Sequence, residues 1–519
     1  MKKFFKFKFI IALTASFFFT GCEKFLEEDL RDQITPDKFF NNDKEAELSV
    51  NGVYRLLHDN SLYGQRGLDN YYISGADILG PSRNVNGEIH NYLIREGVAD
   101  GNGTWIKLYQ IVNNTTEFIG NIEGNAKISK TSQERNIGQL LFLRALAYYH
   151  LTNLWGDVPY YNAPMPVLEK SVLGRTAKST IRTAMKSDLE KAIPLLAVSY
   201  SGKDLGRATK WAAAALKAKY HLFDKEWAKA KAECDFIIDN SPHTLLSNFS
   251  AVFDQSNPAS QYNQELIFVV DFTANQGGGL QFSRTDDYNP RIRDEPSNRN
   301  GDITVNGVTM KRTEYFQSLL LAQGEDMTGF GFAIPLPDFA LKSNWQTGDL
   351  RYDATIVTNY IGFPLSFPYF RKSWNLNQAN SARTNHPENY IVFRLADIYL
   401  MAAEAENELN GPANAYKYVN KVRERAFNPA QPWSAFTQGQ FRTKMYDERK
   451  FELAAEGHRR MDLIRWGILL QVVKATKHRA FNNPAANIKP YHVLLPIPEE
   501  QVNLNPNLLK SDPTNNGYR

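Results

Sequence analysis

The chain has 519 residues, the length of two or three ordinary domains or of one large fold, and its 43% hydrophobic and 22% charged residues exclude a mainly disordered protein. Its formal charge is +4, but the first 21 residues contain four lysines and no acidic residue, so the remainder is neutral. A neutral chain argues against nucleic acid as the main partner, and its two cysteines cannot form a disulfide scaffold.

The first 22 residues predict the cellular compartment. A basic segment, Met1–Lys8, precedes an apolar run, Phe9–Phe19, whose eleven residues are too few to span a bilayer as a helix. This pattern predicts a signal peptide over residues 1–21. Because Cys22 follows a small residue at the end of the run, we expect bacterial lipoprotein processing with Cys22 as the lipidated first residue, the alternative being a plain secretory signal. Acyl chains would then anchor the protein to a membrane.

Apolar residues at three- and four-residue spacing predict a series of amphipathic helices. These cover residues 134–155, 179–196, 208–223, 226–239, 393–409, 413–426, 440–456 and 460–470. The last six form helical hairpins of the length found in tetratricopeptide repeats. Inserts at 56–104 and 241–390, rich in Asn, Gly, Pro, Tyr and Arg, separate them, with a strand predicted at Leu266–Val270. The expected fold class is all-α, with tetratricopeptide-like helix pairs and long, partly irregular loops, which in a compact protein usually carry function.

The residues that usually carry chemistry are missing or have a structural explanation. The nine histidines form no His-Glu-x-x-His motif, and no cysteine pair is placed to hold a metal, so neither a metal nor another cofactor is predicted. Glu448, Glu452 and Glu456 recur every four residues on one helix, and paired carboxylates are typical of glycoside hydrolases. Arginines 449, 459 and 465 lie nearby, so we expect an ion-paired helix face rather than a catalytic site.

A binding site is therefore expected in the inserts. Sugars present apolar ring faces bordered by hydroxyl groups, so a sugar site needs aromatic side chains together with Arg, Asn, Asp or Gln. Residues 63–92, residues 281–300 and Tyr369–Asn375 combine these residue types. The candidate ligand-binding residues are Arg83, Asn84, Tyr288, Arg291 and Trp374. For each aromatic side chain the alternative is core packing.

Five sequence blocks, in register from Cys22 to the end, resemble the SusD/RagB family of outer-membrane lipoproteins of Bacteroidota. They are Phe142–Tyr149 with Leu154–Pro159, Arg394–Ala405, Asn420–Ala426, Glu448–Gly467, and Leu495–Pro498 with Asn516–Tyr518. Two departures are small. Phe19 stands where the lipoprotein signal more often has Leu, and Lys510–Pro513 stands where the family usually has a Gln-Asn pair.

The resemblance implies one SusD-like domain over residues 22–519, with an N-terminal part to about 240 and a C-terminal part from about 241. Four tetratricopeptide-like helix pairs would support a loop-rich half. The family binds glycans or other nutrients without catalysis, and a lipid anchors it at the surface of the outer membrane. There it covers a TonB-dependent β-barrel of the SusC type. The acidic stretch Glu27–Asp29 resembles the signal that exports such lipoproteins to the cell surface.

Two alternatives remain open at this point. A surface glycoside hydrolase would need two carboxylates about 5–10 Å apart across a cleft. A helical-repeat scaffold for envelope assembly would bind peptides on the concave face of its helices. The sequence does not identify the ligand, since arginine-rich loops also suit acidic sugars or peptides.

Overall fold

The computed structural model describes residues 39–64, 67–82, 87–254, 260–273, 287–290, 300–322, 329–374, 388–479 and 482–519. Within these ranges lie eighteen α-helices, and the first eight are α1 Asp43–Leu57, α2 Gly67–Ile73, α3 Asn102–Ile122, α4 Lys130–Leu154, α5 Val167–Ser171, α6 Lys178–Leu195, α7 Lys210–Phe223 and α8 Trp227–Asn240. The other ten are α9 Arg312–Ala322, α10 Pro337–Ala340, α11 Arg351–Thr355, α12 Leu395–Asn410, α13 Tyr416–Ala426, α14 Gln438–Glu452, α15 Arg459–Arg465, α16 Leu469–Ala475, α17 Pro484–Asn487 and α18 Glu499–Leu504. The expectation of a mainly helical chain is confirmed.

The long helices form one continuous array. Helix α3 packs on α4, α4 on α6, α6 on α7 and α7 on α8, while α12 packs on α13 and α14. Helix α8 packs directly on α12, although the whole 241–390 insert separates them in sequence. Helical pairs that are distant in sequence are therefore neighbours in space, and the tetratricopeptide-like arrangement is confirmed.

Small side chains lie at the contacts between these helices. Four consecutive alanines of α7, residues 212–215, have no exposed surface, and the same is true of Ala402 and Ala403 on α12. Methyl groups at such positions let helix axes approach closely. On α8 the buried residues are Ala230, Ile237 and Cys234, and burial raises the pKa of the free Cys234 thiol well above its usual value.

Helix α4 is the central element of the array. It begins four residues earlier than the predicted start, because the Ser129 side chain accepts a hydrogen bond from the Ser132 amide and caps the first turn. Every residue from Gly138 to Leu154 is buried. The buried Arg144 is satisfied by Asp188 of α6, at 2.9 Å from its Nε. In the described chain no helix is both long and apolar enough to cross a bilayer.

The strands of the loop-rich half are short. They are β1 Leu79–Pro81, β2 Leu266–Val270, β3 Asp302–Val305, β4 Val308–Lys311, β5 Ala333–Pro335, β6 Ile356–Tyr360, β7 Phe363–Phe370 and β8 Tyr390–Arg394. They pair as four two-stranded antiparallel sheets, β1 with β5, β2 with β8, β3 with β4 and β6 with β7. The predicted strand at Leu266–Val270 is confirmed as β2. Its partner β8 leads directly into α12, which connects the loop-rich half to the helical array.

A buried group of charges lies at this connection. Glu452 of α14 has no exposed surface and accepts hydrogen bonds from Arg394 at 2.8 Å, Arg425 at 2.5 Å and Arg351 at 3.2 Å. Arg394 is the last residue of β8, Arg425 belongs to α13, and Arg351 begins α11 in the loop-rich half. Burial by itself would raise the pKa of Glu452, but the three guanidinium groups hold it far below its usual range. We call Glu452, Arg394, Arg425 and Arg351, together with the other carboxylates that pair with these three arginines, the Glu452 cluster.

The predicted ion pairing of Glu448, Glu452 and Glu456 is confirmed, but α14 ends at Glu452, so Glu456 lies in the turn after the helix, and the partners come from elsewhere in the chain. Glu448 binds Arg351 at 2.6 Å and Arg423 at 2.5 Å, and Glu456 binds Arg394 at 2.5 Å and Lys372 at 2.7 Å. The arginines nearby in sequence have different partners: Arg449 pairs with Asp397 and Asp462, Arg459 with Asp77, and Arg465 with Glu404. Arg449 directly follows Glu448 on α14, so its side chain projects about 100° away around the helix and has other partners.

Helix α2 is attached to the central helix by a buried histidine. The two ring nitrogens of His150 lie 2.7 Å from the hydroxyls of Tyr63 and Tyr72. Burial lowers the pKa of His150 to about 3, so the ring is neutral at physiological pH. Asp69 of α2 accepts a hydrogen bond of 2.6 Å from the Tyr390 hydroxyl on β8. This short helix is therefore fixed both to the helical array and to the strand that leads into it.

We predict that Glu452→Gln lowers the free energy of unfolding by about 3–5 kcal/mol, because three buried guanidinium groups lose a shared anion. Urea unfolding followed by circular dichroism measures this change. The matched control is Glu408→Gln, since Glu408 pairs with the half-exposed Arg442 across α12 and α14 and should cost about 0–1 kcal/mol. A loss below about 1 kcal/mol for Glu452→Gln would contradict the structural role of the cluster.

A second prediction concerns pH. His150 has a folded-state pKa of about 3, below the unfolded value of about 6.5, so the unfolded chain binds the extra proton first as the pH falls. The stability that His150 contributes is present above pH 6.5 and is lost as the pH falls towards 3. Between pH 7 and pH 5 the free energy of unfolding should decrease less in His150→Gln than in wild type, by about 2 kcal/mol. Equal decreases in the two proteins would refute this assignment.

Candidate functional site

The structure brings two of the predicted ligand-binding residues together. The indole Nε1 of Trp374 donates a 3.0 Å hydrogen bond to the carbonyl oxygen of Tyr288, 86 positions away in the sequence. The other three, Arg83, Asn84 and Arg291, lie outside the described residues, as does Cys22.

Both aromatic rings belong to the core. Tyr288 is 3% exposed and Trp374 is 7% exposed. The ring of Tyr288 lies 6.0 Å from that of Phe370, and Trp374 lies 5.6 Å from Tyr360 and 6.2 Å from Tyr369. In this structure both side chains are therefore packed in the core, which is the alternative interpretation of these aromatic residues. Neither ring presents a free face on which a sugar could stack.

Next to this pair lies a small cavity, which we call the loop pocket. It has a volume of about 30 Å³, enough for one water molecule. Its wall includes Asp69 of α2, Ser74 directly after α2, Pro81 of β1, and Asp287 with Tyr288. The chain continues from Pro81 through Ser82 towards Arg83 and Asn84, and from Tyr288 through Pro290 towards Arg291. Residues of two predicted stretches, 63–92 and 281–300, therefore line the same pocket.

The loop pocket contains a buried donor that sequence reasoning missed. His90 is 2% exposed, and its Nδ1 accepts a hydrogen bond from the Gly75 amide at 3.3 Å. Burial lowers its pKa to about 3, so the ring is neutral and its proton is on Nε2. In the described chain this Nε2 has no hydrogen-bond partner. A Cβ on Gly80 would lie 3.1 Å from the His90 ring, so the close approach of β1 requires glycine there.

Nothing in the sequence around His90 distinguishes it. The residue lies within the 63–92 stretch that composition selects, but its role depends on Gly75 and Gly80, which reach it only in the folded chain. The same segment is held in place by Asn91, whose carbonyl accepts a 2.8 Å hydrogen bond from Asn487. The wall of the pocket is thus attached to the C-terminal part of the chain.

The three glutamates that the sequence offers as glycosidase carboxylates are not available for catalysis. Glu448, Glu452 and Glu456 are buried, and each is bound to at least two cationic groups. A general acid needs a raised pKa, whereas cationic neighbours lower the pKa of Glu456 against the effect of burial. Among the described residues, no group of three or more His, Cys, Asp or Glu side chains is placed to hold a metal ion.

Comparison with solved structures shows the same fold in several proteins. A laminarin-binding SusD-like protein superposes with a TM-score of 0.70 at 23% identity, covering 89% of this chain and 98% of that chain. Surface glycan-binding protein A from Bacteroides thetaiotaomicron, solved with laminarihexaose, gives a TM-score of 0.70 at 19% identity, covering 89% of this chain and 97% of that chain. A SusD homologue from the same organism gives 0.75 at 19% identity, covering 92% and 98%.

Sequence comparison gives the family. Residues 342–518 match the model of the SusD family, and residues 50–222 match a model described as starch-binding associating with outer membrane. Starch-binding protein SusD of Bacteroides thetaiotaomicron is 24% identical over 78% of this chain and 76% of its own length. A SusD-like protein of Formosa agariphila is 44% identical over 96% of this chain and 97% of its own length. An identity this high over nearly the whole of both chains, with two family matches along it, shows that the chain belongs to the SusD-like family.

Proposed function

We propose that this protein is a lipid-anchored receptor on the surface of the outer membrane. It captures an oligosaccharide with its loop-rich half and delivers it to a TonB-dependent transporter of the SusC type, without chemical conversion. Family membership and the names of relatives that bind starch or laminarin support this proposal. The observation that carries the location of the site is that residues of two predicted stretches line one pocket, together with a buried donor that has no partner in the described chain.

In this proposal the loop pocket is the fixed base of the site. The Nε2–H of His90 donates towards a sugar hydroxyl or a bridging water, and the carboxylates of Asp69 and Asp287 lie in the same wall. Arg83, Asn84 and Arg291 supply further hydrogen bonds from the loops. The buried pair of Tyr288 and Trp374 acts as a positioning element, because its hydrogen bond holds together two chain segments that lead into the site.

The expected affinity is modest. Each sugar hydroxyl exchanges hydrogen bonds with water for hydrogen bonds with protein, and a surface site must also order its loops. Neutral and acidic sugars are both compatible with a pocket that combines a neutral histidine with loops containing arginine. The ligand class is therefore tested with a panel that contains starch, laminarin and uronic-acid oligosaccharides.

We predict that Arg83→Ala, Asn84→Ala and Arg291→Ala each weaken binding of the best ligand by about 5- to 30-fold, since each removes about 1–2 kcal/mol of hydrogen bonding. Isothermal titration of the soluble chain lacking residues 1–22 measures the affinity. The control is Arg135→Ala on α4, an arginine with 41% exposed side chain. Arg135 lies roughly 22 Å along the helix from His150. The Arg135→Ala variant should therefore bind the ligand with the affinity of wild type.

Two results would contradict this prediction. Unchanged affinity in all three loop variants would remove the loop face as the binding site. Binding of a peptide mixture by a chain that binds no glycan in the panel would replace the glycan with a peptide as the ligand class.

We also predict that Cys22→Ser releases the protein from the membrane, because the acyl chains that attach it are lost. Wild type should incorporate radiolabelled palmitate, sediment with the outer membrane and be digested when protease is added to intact cells. The serine variant should do none of these.

Affinity purification from detergent-solubilised membranes tests the partner in the same cells. The anchored wild type should recover a large outer-membrane barrel in near-stoichiometric amount. Its absence would remove the transporter from the proposal, and an unmodified Cys22 in wild type would remove the anchor.

A further inference from the structure

A larger cavity of about 660 Å³, which we call the helix-side cavity, lies where the helical array meets the loop-rich half. It lies between residues 343–351, residues 423–436 and the second half of α14, and it shares no lining residue with the loop pocket. Its volume falls within the range of about 300–1,000 Å³ that is typical of small-molecule sites. It is open and combines polar and aromatic side chains.

Two pairs of aromatic rings line this cavity. The ring centroids of Trp345 and Phe451 are 4.4 Å apart, and those of Trp433 and Phe436 are 5.7 Å apart. The indole Nε1 of Trp345 donates a 2.8 Å hydrogen bond to the Phe339 carbonyl, so this ring has a fixed orientation. Phe436 and Phe451 are only partly buried. Their ring surfaces suit the apolar face of a sugar.

A buried guanidinium group lies in the wall of the cavity. Arg423 is 2% exposed and donates from Nε to the Gln431 carbonyl at 2.8 Å, from Nη1 to Glu448 at 2.5 Å and from Nη2 to Gln346 at 3.1 Å. A guanidinium has five N–H donors, so these bonds account for three of them. Burial lowers the pKa of Arg423, and the ion pair with Glu448 opposes this effect.

The polar edge of the cavity is formed before any ligand arrives. The side chains of Gln346 and Gln431 are hydrogen-bonded to each other, and Gln431 also donates to the Thr347 carbonyl at 2.7 Å. Backbone hydrogen bonds join the two walls, from Asn428 N to the Gly348 carbonyl at 3.1 Å. Gly348 has a φ of +83°, and a Cβ there would lie 3.0 Å from the Asn428 oxygen, so this contact needs glycine. A preformed site has a smaller entropic cost of binding.

We propose that the helix-side cavity is a second saccharide-binding site. A sugar ring packs against Phe436 and Phe451, the partly buried rings of the lining, and its hydroxyl groups bind the remaining donors of Arg423 and the amides of Gln346 and Gln431. This inference rests on the proposed function and extends it. Two sites on one anchored chain would hold a polysaccharide at two points and raise its effective local concentration.

The chemistry of the walls favours a saccharide over a peptide. No described strand lines the cavity, so it has no sheet edge to which a peptide strand could add. An amphipathic helix would need a continuous apolar groove, whereas charged and amide side chains interrupt these walls. Planar amides and a guanidinium beside aromatic rings are the groups that bind hydroxyls around an apolar ring face.

The test uses fluorine NMR of the soluble chain labelled with 5-fluorotryptophan, with the Trp433 and Trp345 signals assigned from Trp433→Phe and Trp345→Phe. The probes are laminarihexaose, maltohexaose and trigalacturonic acid, with a tryptic digest of casein as the peptide probe. At least one saccharide should shift both signals. Gln346→Leu should raise the concentration needed for half of the shift at least about fivefold. Gln471→Leu, an exposed glutamine of α16 outside both cavities, should leave it unchanged.

The outcomes separate this inference from the proposed function. If calorimetry detects a saccharide whose binding Arg83→Ala weakens while both tryptophan signals stay fixed, only the second site is refuted. If the tryptophan signals respond but the loop variants bind as wild type does, the second site holds and the loop site fails. If no saccharide binds, or if only the peptide digest shifts the two signals, the inference is refuted.

Discussion

The arrangement of this protein depends on the neutralisation of charges at Glu452. Five buried ion pairs lie there, because Arg394 of the β8–α12 junction, Arg425 of α13 and Arg351 of α11 share one buried carboxylate, and Glu265 before β2 binds two of these arginines. Buried ions are costly unless every one is paired, so separating these elements would leave charges without partners. The loop-rich half, which consists of two-stranded sheets and irregular segments, is therefore fixed in one position on the helical array.

Much of this architecture was predictable from local pattern. Helical periodicity predicted the hairpins α7–α8 and α12–α13, and the four-residue spacing of Glu448, Glu452 and Glu456 indicated ion pairing. The last predicted hairpin differs, because α14 ends at Glu452 and the helix predicted over 460–470 is two short helices, α15 and α16. What local pattern could not supply was the pairing between distant segments. The packing of α8 on α12 and the approach of Arg351 and Arg394 to α14 depend on how a 150-residue insert closes. Helix α1 was overlooked, although its buried Ala46, Val50, Val53 and Leu57 follow a helical spacing.

The candidate site was predictable only as a region. Composition selected the two stretches that line the loop pocket, because both combine aromatic and hydrogen-bonding residues. Composition does not reveal which side of a ring is covered, so Tyr288 and Trp374 looked like stacking platforms although neighbouring rings bury them. The unused donor of His90 exists because tertiary contacts occupy one ring nitrogen and bury the other without giving it a partner in the described chain.

The two cavities differ in how strongly they depend on the Glu452 cluster. Glu448 binds both Arg351, a member of the cluster, and Arg423, the guanidinium of the helix-side cavity, so this cavity is part of the same ionic network. A substitution that reshapes its wall at Arg423 therefore also leaves a buried carboxylate with one partner fewer, which lowers stability. The loop face takes its proposed ligand contacts from Arg83, Asn84 and Arg291, which lie beyond the ends of β1 and Tyr288. In the helix-side cavity, Gln346 and Gln431 take part in hydrogen bonds but in no ion pair, so a substitution at this edge changes the lining without removing a partner from a buried carboxylate.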